Sequence, residues 1–207
     1  MTSPDLYLAS QSPRRGQLLD QIGVRFATLA VEVDETRRPG EHAEDYVRRL
    51  ALEKARAGHA ALSSGPQGPV LGADTAVVVN ETILGKPSDC AHAVEMLAML
   101  SGSRHRVLSA VAIVAGAREA VRLSTSTVWF RDLSGDEREG YCVTGEPLDK
   151  AGAYAIQGLA SAFVTRLDGS YSGVMGLPLF ETAELLTRFG IPFGLARMSH
   201  QAGAGPT

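Results

Sequence analysis

The N-terminal segment at residues 10–15 (SQSPRR) combines residue types suited to binding an anion. It follows a short apolar run, and Ser12 and Pro13 are typical of the N-cap and first position of a helix. Arg14 and Arg15 would then oppose the helix dipole by about 0.3–1 kcal/mol each, unless an anion docks there. Free N–H groups and two guanidinium groups together predict a polyphosphate cradle. On these residues alone, a capped surface helix with two solvated arginines is the alternative.

Asp74 is the second candidate, because it interrupts the apolar run VLGADTAVVV at residues 70–79. Such a run predicts a strand buried on both faces. A carboxylate inside it is unfavourable to bury unless it is paired, bound to a metal or functional. No cation nearby in the sequence is an evident partner, so the pattern favours a functional role.

Three further charged residues are weaker candidates. Glu35 follows an apolar run at residues 26–33 that predicts a strand, with a solvated polar loop as the alternative. Lys54 lies close to the apolar stripe of a helix predicted over residues 41–62, whose other charges are expected to form a solvated face. Lys86 precedes a proline and is therefore expected in an extended conformation.

The segment at residues 145–158 (GEPLDKAGAYAIQG) has three glycines, several polar groups and little periodicity. A stretch of this length without a regular pattern is typical of a loop that folds over a ligand. The remaining pattern predicts helices alternating with strands, including a hairpin at residues 105–114 and 119–130 and helices that begin after Ser88 and Ser134.

Composition describes an ordinary globular protein. The 207 residues are 44% hydrophobic and 21% charged, and the net charge is −3. A general nucleic-acid binder would need a basic surface, so we expect no stable nucleic-acid partner. No basic leader with an apolar stretch and no run near 20 apolar residues is found, so we expect a cytoplasmic protein without a membrane partner. We predict one domain over residues 1–198 and a flexible tail at 199–207.

Cysteine and histidine spacing predicts neither a disulfide framework nor a transition-metal site. Cys90 and Cys142 form no CxxC pair, and the five histidines show no ligand spacing. Free cysteines are usually buried, so we expect two small buried thiols.

Five segments, taken in order, resemble the Maf family of nucleoside triphosphate pyrophosphatases. They are SQSPRR, LGADT, LGKP, GEPLDKAGAYAIQG and GLPLFET, and they span nearly the whole chain. Through EPLDKAGAY and IQG the chain is most similar to the bacterial dTTP/UTP pyrophosphatases of that family.

The resemblance implies an elongated α/β fold with a central mixed β-sheet flanked by helices, and two lobes around a cleft, similar to inosine triphosphate pyrophosphatases. It also implies a homodimer that hydrolyses the α–β linkage of a nucleoside triphosphate to the monophosphate and pyrophosphate, with Mg²⁺ or Mn²⁺. dTTP and UTP, with modified pyrimidine nucleotides, are the expected substrates. A 7-methyl-GTP pyrophosphatase and a nucleotide-binding regulator of septum formation are the alternatives.

The family's functional positions carry over to particular residues of this chain. Ser10, Arg14 and Arg15 match its phosphate-binding motif, Lys54 and Lys86 its substrate-binding lysines, Glu35 and Asp74 its acidic positions, and Gln157 its glutamine. We expect Asp74 to be the general base and Glu35 to help it hold the metal. Thr75 and Gln157 are expected to select the nucleobase of the substrate.

Overall fold

The computed structural model describes residues 3–62 and 68–194, so the predicted tail at residues 199–207 lies outside the described residues. The strands and α-helices of this part are β1 (Leu6–Ala9), α1 (Pro13–Gln21), β2 (Phe26–Thr28), α2 (Ala43–Ala61), β3 (Val70–Val79), β4 (Thr82–Leu84), α3 (Cys90–Leu100), β5 (Arg104–Ala115), β6 (Arg118–Phe130), α4 (Gly135–Val143), β7 (Val164–Asp168), α5 (Tyr171–Met175) and α6 (Leu179–Phe189). Two 3₁₀ turns cover Ala151–Ala153 and Leu159–Phe163. None of the helices described here has the length and hydropathy that crossing a membrane requires.

A mixed sheet of seven strands forms the centre of the described chain. Its order is β2-β1-β3-β5-β6-β7, and β4 pairs separately with β3. The β1 strand is parallel to β2 and β3, whereas the other pairs are antiparallel. Helices pack on the sheet, with buried clusters beneath α2, between α1 and α6, and around α3 and α4. The predicted α/β architecture with a central mixed sheet is confirmed.

One edge of β3 is only partly covered by neighbouring strands. The last residue of β1, Ala9, pairs with Gly72, whereas the pairing of β4 reaches only as far as Val77. Within the described chain, residues 73–76 therefore have no strand neighbour on this edge. The gap lies at the carboxyl end of the parallel strand β1, a position where α/β folds often bind ligands.

The long helix α2 packs very closely on β3. Val47, Leu50 and Ala51 form its fully buried face. Opposite them, Gly72 allows the two backbones to approach, because a Cβ atom at Gly72 would lie 2.3 Å from the carbonyl oxygen of Ala51 and 2.5 Å from the amide nitrogen of Ala55. Only glycine fits this contact without moving the helix.

Some local predictions at element ends are wrong. The strand expected over residues 26–33 covers only Phe26–Thr28, since the chain then leaves the sheet. Ser12 is at the N-cap of α1 but makes no capping bond; the Ser10 hydroxyl instead accepts from the Ser12 N–H at 3.2 Å. Asp89, rather than Ser88, caps α3 by accepting from the N–H of His92. These ends are decided by local geometry that residue type alone does not determine.

The expectation of two buried unpaired thiols is also wrong. Cys90 and Cys142 form a disulfide that joins the start of α3 to the end of α4, and Cys90 is exposed. The two residues are 52 positions apart and meet only because α3 and α4 pack together. Their spacing in the sequence therefore gave no indication of the pairing.

A buried histidine, His105, packs against two aromatic rings. His105 is 2% exposed and makes edge contacts with the rings of Phe130 and Tyr154, at centroid distances of 5.0 and 5.4 Å. Its Nε2 lies 2.9 Å from the Tyr154 hydroxyl, while Nδ1 has no hydrogen-bond partner in the described chain. Burial lowers the pKa of His105 from 6.5 to about 4, because the charged imidazolium is poorly solvated there.

This depressed pKa predicts a loss of stability in acid. Between about pH 6.5 and pH 4 the unfolded chain binds a proton at His105 that the folded chain excludes, so the free energy of unfolding falls as the pH falls. His105→Gln removes this titration and keeps an amide that can bond Tyr154. We expect the wild type to lose about 3 kcal/mol more than His105→Gln between about pH 7 and pH 4. Urea denaturation across this range measures the difference, and parallel curves would contradict the assignment.

Candidate active site

The gap beside β3 opens into a cleft of about 600 Å³. This volume lies within the range of small-molecule binding sites. All nine residues predicted from the sequence line the cleft, and they come from distant parts of the chain: Ser10, Arg14, Arg15, Glu35, Lys54, Asp74, Thr75, Lys86 and Gln157. The fold therefore brings together in one cavity residues separated by up to most of the chain.

Lys54 is the partner that Asp74 lacked in the sequence. Its Nζ lies 2.7 Å from Asp74 Oδ1 and 2.7 Å from Glu35 Oε1, so one ammonium bridges the two carboxylates. Asp74 and Lys54 are both nearly buried, whereas Glu35 is more exposed. The contact arises because the close packing of α2 on β3 at Gly72 brings the helix turn containing Lys54 beside the gap.

The two carboxylates differ in their titration. Burial raises the pKa of Asp74, although Lys54 and Arg15 oppose this effect. At Glu35, burial also raises the pKa, but the hydrogen bond and charge of Lys54, with the charges of Lys86 and Arg15, together hold it below its usual value. Proton uptake is therefore favoured at Asp74 relative to an ordinary aspartate, whereas Glu35 is held in its ionised form.

Arg15 is held in place at the cleft wall by its own hydrogen bonds. Its Nε donates to the carbonyl of Gly176 at 2.9 Å, and Nη1 donates to the Ser10 hydroxyl at 3.1 Å. Gly176 ends α5 with a φ of +119°, in the region that favours glycine. A guanidinium has five N–H donors, so Arg15 keeps donors for an anion while its orientation is fixed.

Arg14 spans the cleft to the segment at residues 145–158. Its Nη1 lies 3.2 Å from Asp149 Oδ2, and Asp149 is mostly exposed. Lys150 lines the cleft beside it and donates to the carbonyl of Glu146 at 2.6 Å. Because an exposed ion pair contributes little net stability, Arg14 can exchange Asp149 for a more highly charged anion.

Thr75 points to the opposite face of β3 from Asp74, as adjacent strand residues do. Its hydroxyl lies 2.9 Å from that of Ser109, and Ser109 donates to the carbonyl of Gly173 at 2.6 Å. Since the single proton of Ser109 is used in that bond, Thr75 donates to Ser109. The remaining lone pairs of Thr75 are then available as acceptors at the cleft.

Lys86 and Gln157 complete the lining from two neighbouring loops. Both side chains are exposed, and neither makes a side-chain hydrogen bond to the rest of the described chain. The loops are joined at the backbone, where the N–H of Gly152 donates to the carbonyl of Gly85 at 3.0 Å. The structure thus presents a free ammonium and a free carboxamide on one side of the cleft.

Sequence reasoning missed several residues of this site. The hydroxyl of Tyr46 donates to the backbone carbonyl of Glu35 at 3.0 Å and so holds the Glu35 loop. Asp149 and Tyr154 also line the cleft, inside a segment that had been recognised only as a loop. Their roles depend on contacts across the cleft, which no local pattern indicates.

A divalent cation has a limited set of protein ligands here. Among residues 3–62 and 68–194, no group of three or more His, Cys, Asp and Glu side chains is arranged to hold a metal. Mg²⁺ at phosphate sites is usually held by one or two carboxylates together with substrate oxygens. Glu35 and Asp74, which converge on Lys54, fit that mode of binding rather than an all-protein cage.

Comparison with known proteins gives consistent matches. The family model described as "Maf-like protein" matches residues 5–189. The dTTP/UTP pyrophosphatase of Alkalilimnicola ehrlichii is 56% identical over 193 residues, covering 92% of this chain and 95% of that protein. The dTTP/UTP pyrophosphatase of Photobacterium profundum is 49% identical over 193 residues, covering 91% of this chain and 98% of that protein.

A solved structure, that of the Staphylococcus aureus Ham1 protein, matches 89% of this chain and 96% of its own chain, at 14% identity and a TM-score of 0.42. The family model and the curated relatives are the stronger findings. The family model matches residues 5–189, and the two relatives are about half identical over nearly the full length of the chain. They confirm the resemblance seen in the five sequence segments: this chain belongs to the Maf-like protein family.

Proposed function

We propose that this protein hydrolyses dTTP and UTP, and related modified pyrimidine triphosphates, to the nucleoside monophosphate and pyrophosphate. The observation that carries the proposal is the buried Asp74 carboxylate, with its raised pKa, in a cleft whose walls carry Arg14, Arg15, Lys54 and Lys86. The curated relatives named dTTP/UTP pyrophosphatase support the choice of substrate.

The positively charged side chains of the cleft stabilise the negative charge of the substrate and of the transition state. A nucleoside triphosphate carries a large negative charge, which must be neutralised further as the α–β linkage breaks. Arg15 is already oriented by Ser10 and the carbonyl of Gly176, so it can bind a phosphate with little reorganisation. Arg14 and Lys86 bind the more exposed part of the triphosphate chain.

Asp74 removes the proton from the attacking water. The water oxygen forms a bond to the α-phosphorus, the bond from that phosphorus to the bridging oxygen breaks, and pyrophosphate leaves with the electron pair. The water proton passes to the Asp74 carboxylate, for which a raised pKa is favourable. Lys54, at 2.7 Å from Asp74, keeps the carboxylate ionised before this transfer.

Glu35 and Asp74 are the residues that would hold Mg²⁺ or Mn²⁺, together with phosphate oxygens of the substrate. When bound, such a cation neutralises phosphate charge and acidifies water. The hydrogen bond from Tyr46 to the Glu35 backbone fixes the loop that presents this carboxylate. Thr75, as an acceptor, and the free amide of Gln157 are the groups proposed to select a pyrimidine base.

The homodimer and the cytoplasmic location stay predictions. Gel filtration with light scattering measures the oligomer, and thiol labelling of protein taken directly from cells measures the state of the two cysteines.

A nucleotide panel tests the proposed reaction directly. With Mg²⁺ present, we expect the purified protein to release pyrophosphate from UTP and dTTP faster than from GTP, ATP or 7-methyl-GTP. Chelation of the divalent cation should abolish this release, because the positively charged side chains alone leave part of the substrate charge unneutralised. Pyrophosphate release is measured by a coupled assay. Turnover of 7-methyl-GTP without turnover of UTP would contradict the substrate assignment.

Asp74→Asn tests the general base. The change preserves the shape of the side chain but removes its basicity, so we expect UTP hydrolysis to fall roughly 100- to 10,000-fold while nucleotide binding is largely kept. Rates are measured as above, and binding by isothermal titration calorimetry. Asp168→Asn, at an exposed position on β7, makes the same chemical change outside the cleft and should leave the rate unchanged. A rate for Asp74→Asn close to that of the wild type would show that another group takes the proton.

Arg14→Ala tests the role of the cation that spans the cleft. Loss of a charged hydrogen-bond donor to phosphate should lower kcat/KM for UTP by about tenfold or more, through both a higher KM and a lower kcat. Arg48→Ala is the matched control, because Arg48 is exposed on α2 and does not line the cleft. Equal kinetics for the two variants would place Arg14 outside the binding machinery.

A further inference from the structure

The loop that presents Gln157 is held by side chains that lie behind it. Tyr154, Ala155, Ile156 and Gln157 line the cleft. The backbone just before them is in an unusual conformation, since Gly152 and Ala153 both have positive φ values, of 70° and 57°. A non-glycine residue keeps such a conformation only where surrounding contacts determine it.

Tyr141, at the end of α4, makes the first of these contacts. Its hydroxyl accepts a hydrogen bond from the N–H of Ala155 at 3.1 Å and donates to Glu146 Oε1 at 2.7 Å. Its ring packs edge-on against Phe163 at a centroid distance of 5.2 Å. Tyr141 is thereby bonded to the residue two positions before Gln157.

Glu146 makes the second contact, on the other side of the loop. Its Oε2 accepts from the N–H of Leu159 at 3.2 Å, two positions after Gln157. Gly158 lies directly against this carboxylate, because a Cβ atom there would be 2.4 Å from Glu146 oxygens. One Tyr–Glu pair therefore bonds the backbone on both sides of Gln157.

The protonation state of Tyr141 suits its hydrogen bond to Glu146. Burial and the hydrogen bond to Glu146 raise the pKa of Tyr141, so its hydroxyl stays protonated and continues to donate. The lysine beside the pair, Lys150, bonds the backbone carbonyl of Glu146 rather than its carboxylate. Both carboxylate oxygens of Glu146 thus remain available to Tyr141 and Leu159.

We infer that Tyr141 and Glu146 are positioning residues for nucleobase recognition: by fixing the backbone on either side of Gln157, they hold its carboxamide where it meets the pyrimidine edge. Within the described chain, neither side chain makes a hydrogen bond or an ion pair with Arg14, Arg15 or Lys54, which form the phosphate-binding wall. Their influence should therefore fall on the base and leave the triphosphate contacts unchanged. This inference rests on the proposed function, since it concerns the same cleft.

Tyr141→Phe tests the inference, because it removes the hydroxyl and keeps the ring against Phe163. We expect KM for UTP to rise about tenfold, the size expected for the loss of one or two hydrogen bonds, with kcat reduced less than about threefold. Inorganic tripolyphosphate has no base, so its inhibition constant against UTP hydrolysis should change by less than about twofold. Glu146→Gln should raise KM for UTP less than Tyr141→Phe does. The amide oxygen still accepts one of the two hydrogen bonds that the carboxylate accepts, so part of the positioning is kept.

Two controls separate positioning from loss of stability. Tyr171→Phe makes the same chemical change at an exposed position on α5 and should leave all constants unchanged. Phe163→Leu weakens the packing behind Tyr141 but keeps the hydrogen bonds, so it should lower the thermal midpoint without a selective rise in KM for UTP. If Tyr141→Phe lowered kcat for UTP without changing KM, or changed UTP and tripolyphosphate binding equally, the inference would be overturned.

Failure of the proposed function gives a different result. If the wild type released no pyrophosphate from any nucleotide, the enzymatic proposal would fail, while binding of UTP and tripolyphosphate to the same variants, measured by calorimetry, would still test the positioning role. Selective weakening of UTP binding would support it. Unchanged UTP binding in Tyr141→Phe would refute it.

Discussion

The site depends on one buried ion pair, between Lys54 on α2 and Asp74 on β3. An isolated carboxylate at this depth would take up a proton, because burial disfavours its charged form. The ammonium 2.7 Å away reduces that effect, and it also bonds Glu35 on a third segment. Two acidic groups whose pKa values are shifted in opposite directions are thus kept next to each other by one cation.

The gap in the sheet explains why this ion pair can reach a ligand. If β1 or β4 continued along β3, residues 73–76 would be covered by a strand. Because neither does, Asp74 and Thr75 open into the cleft from opposite faces of a single strand. The charges that face them are supplied by α1, α2 and two loops, so the cation-lined cleft forms only when the whole fold is in place.

The local sequence pattern predicted the secondary-structure elements and the residues that line the cleft better than it predicted which of these residues contact each other. Asp74 within the buried strand at residues 70–79 and the arginines after Pro13 can be recognised because their charges conflict with their surroundings. The partner of Asp74 was not, since Lys54 is twenty positions away and meets it only through helix–sheet packing. The Cys90–Cys142 bond and the contact of Arg14 with Asp149 were missed for the same reason. Family resemblance supplied the roles of Lys54, Lys86 and Gln157, which charge and periodicity alone left open.

The missing side chain at Gly72 has an electrostatic consequence. A methyl group there would push α2 outward at Ala51 and Ala55, on either side of Lys54. The ammonium would retreat from Asp74, and the carboxylate would then keep its proton to higher pH. Close contact between two uncharged stretches of backbone therefore sets the acidity of the site, and a change that adds only carbon would alter the pH range in which its charges exist.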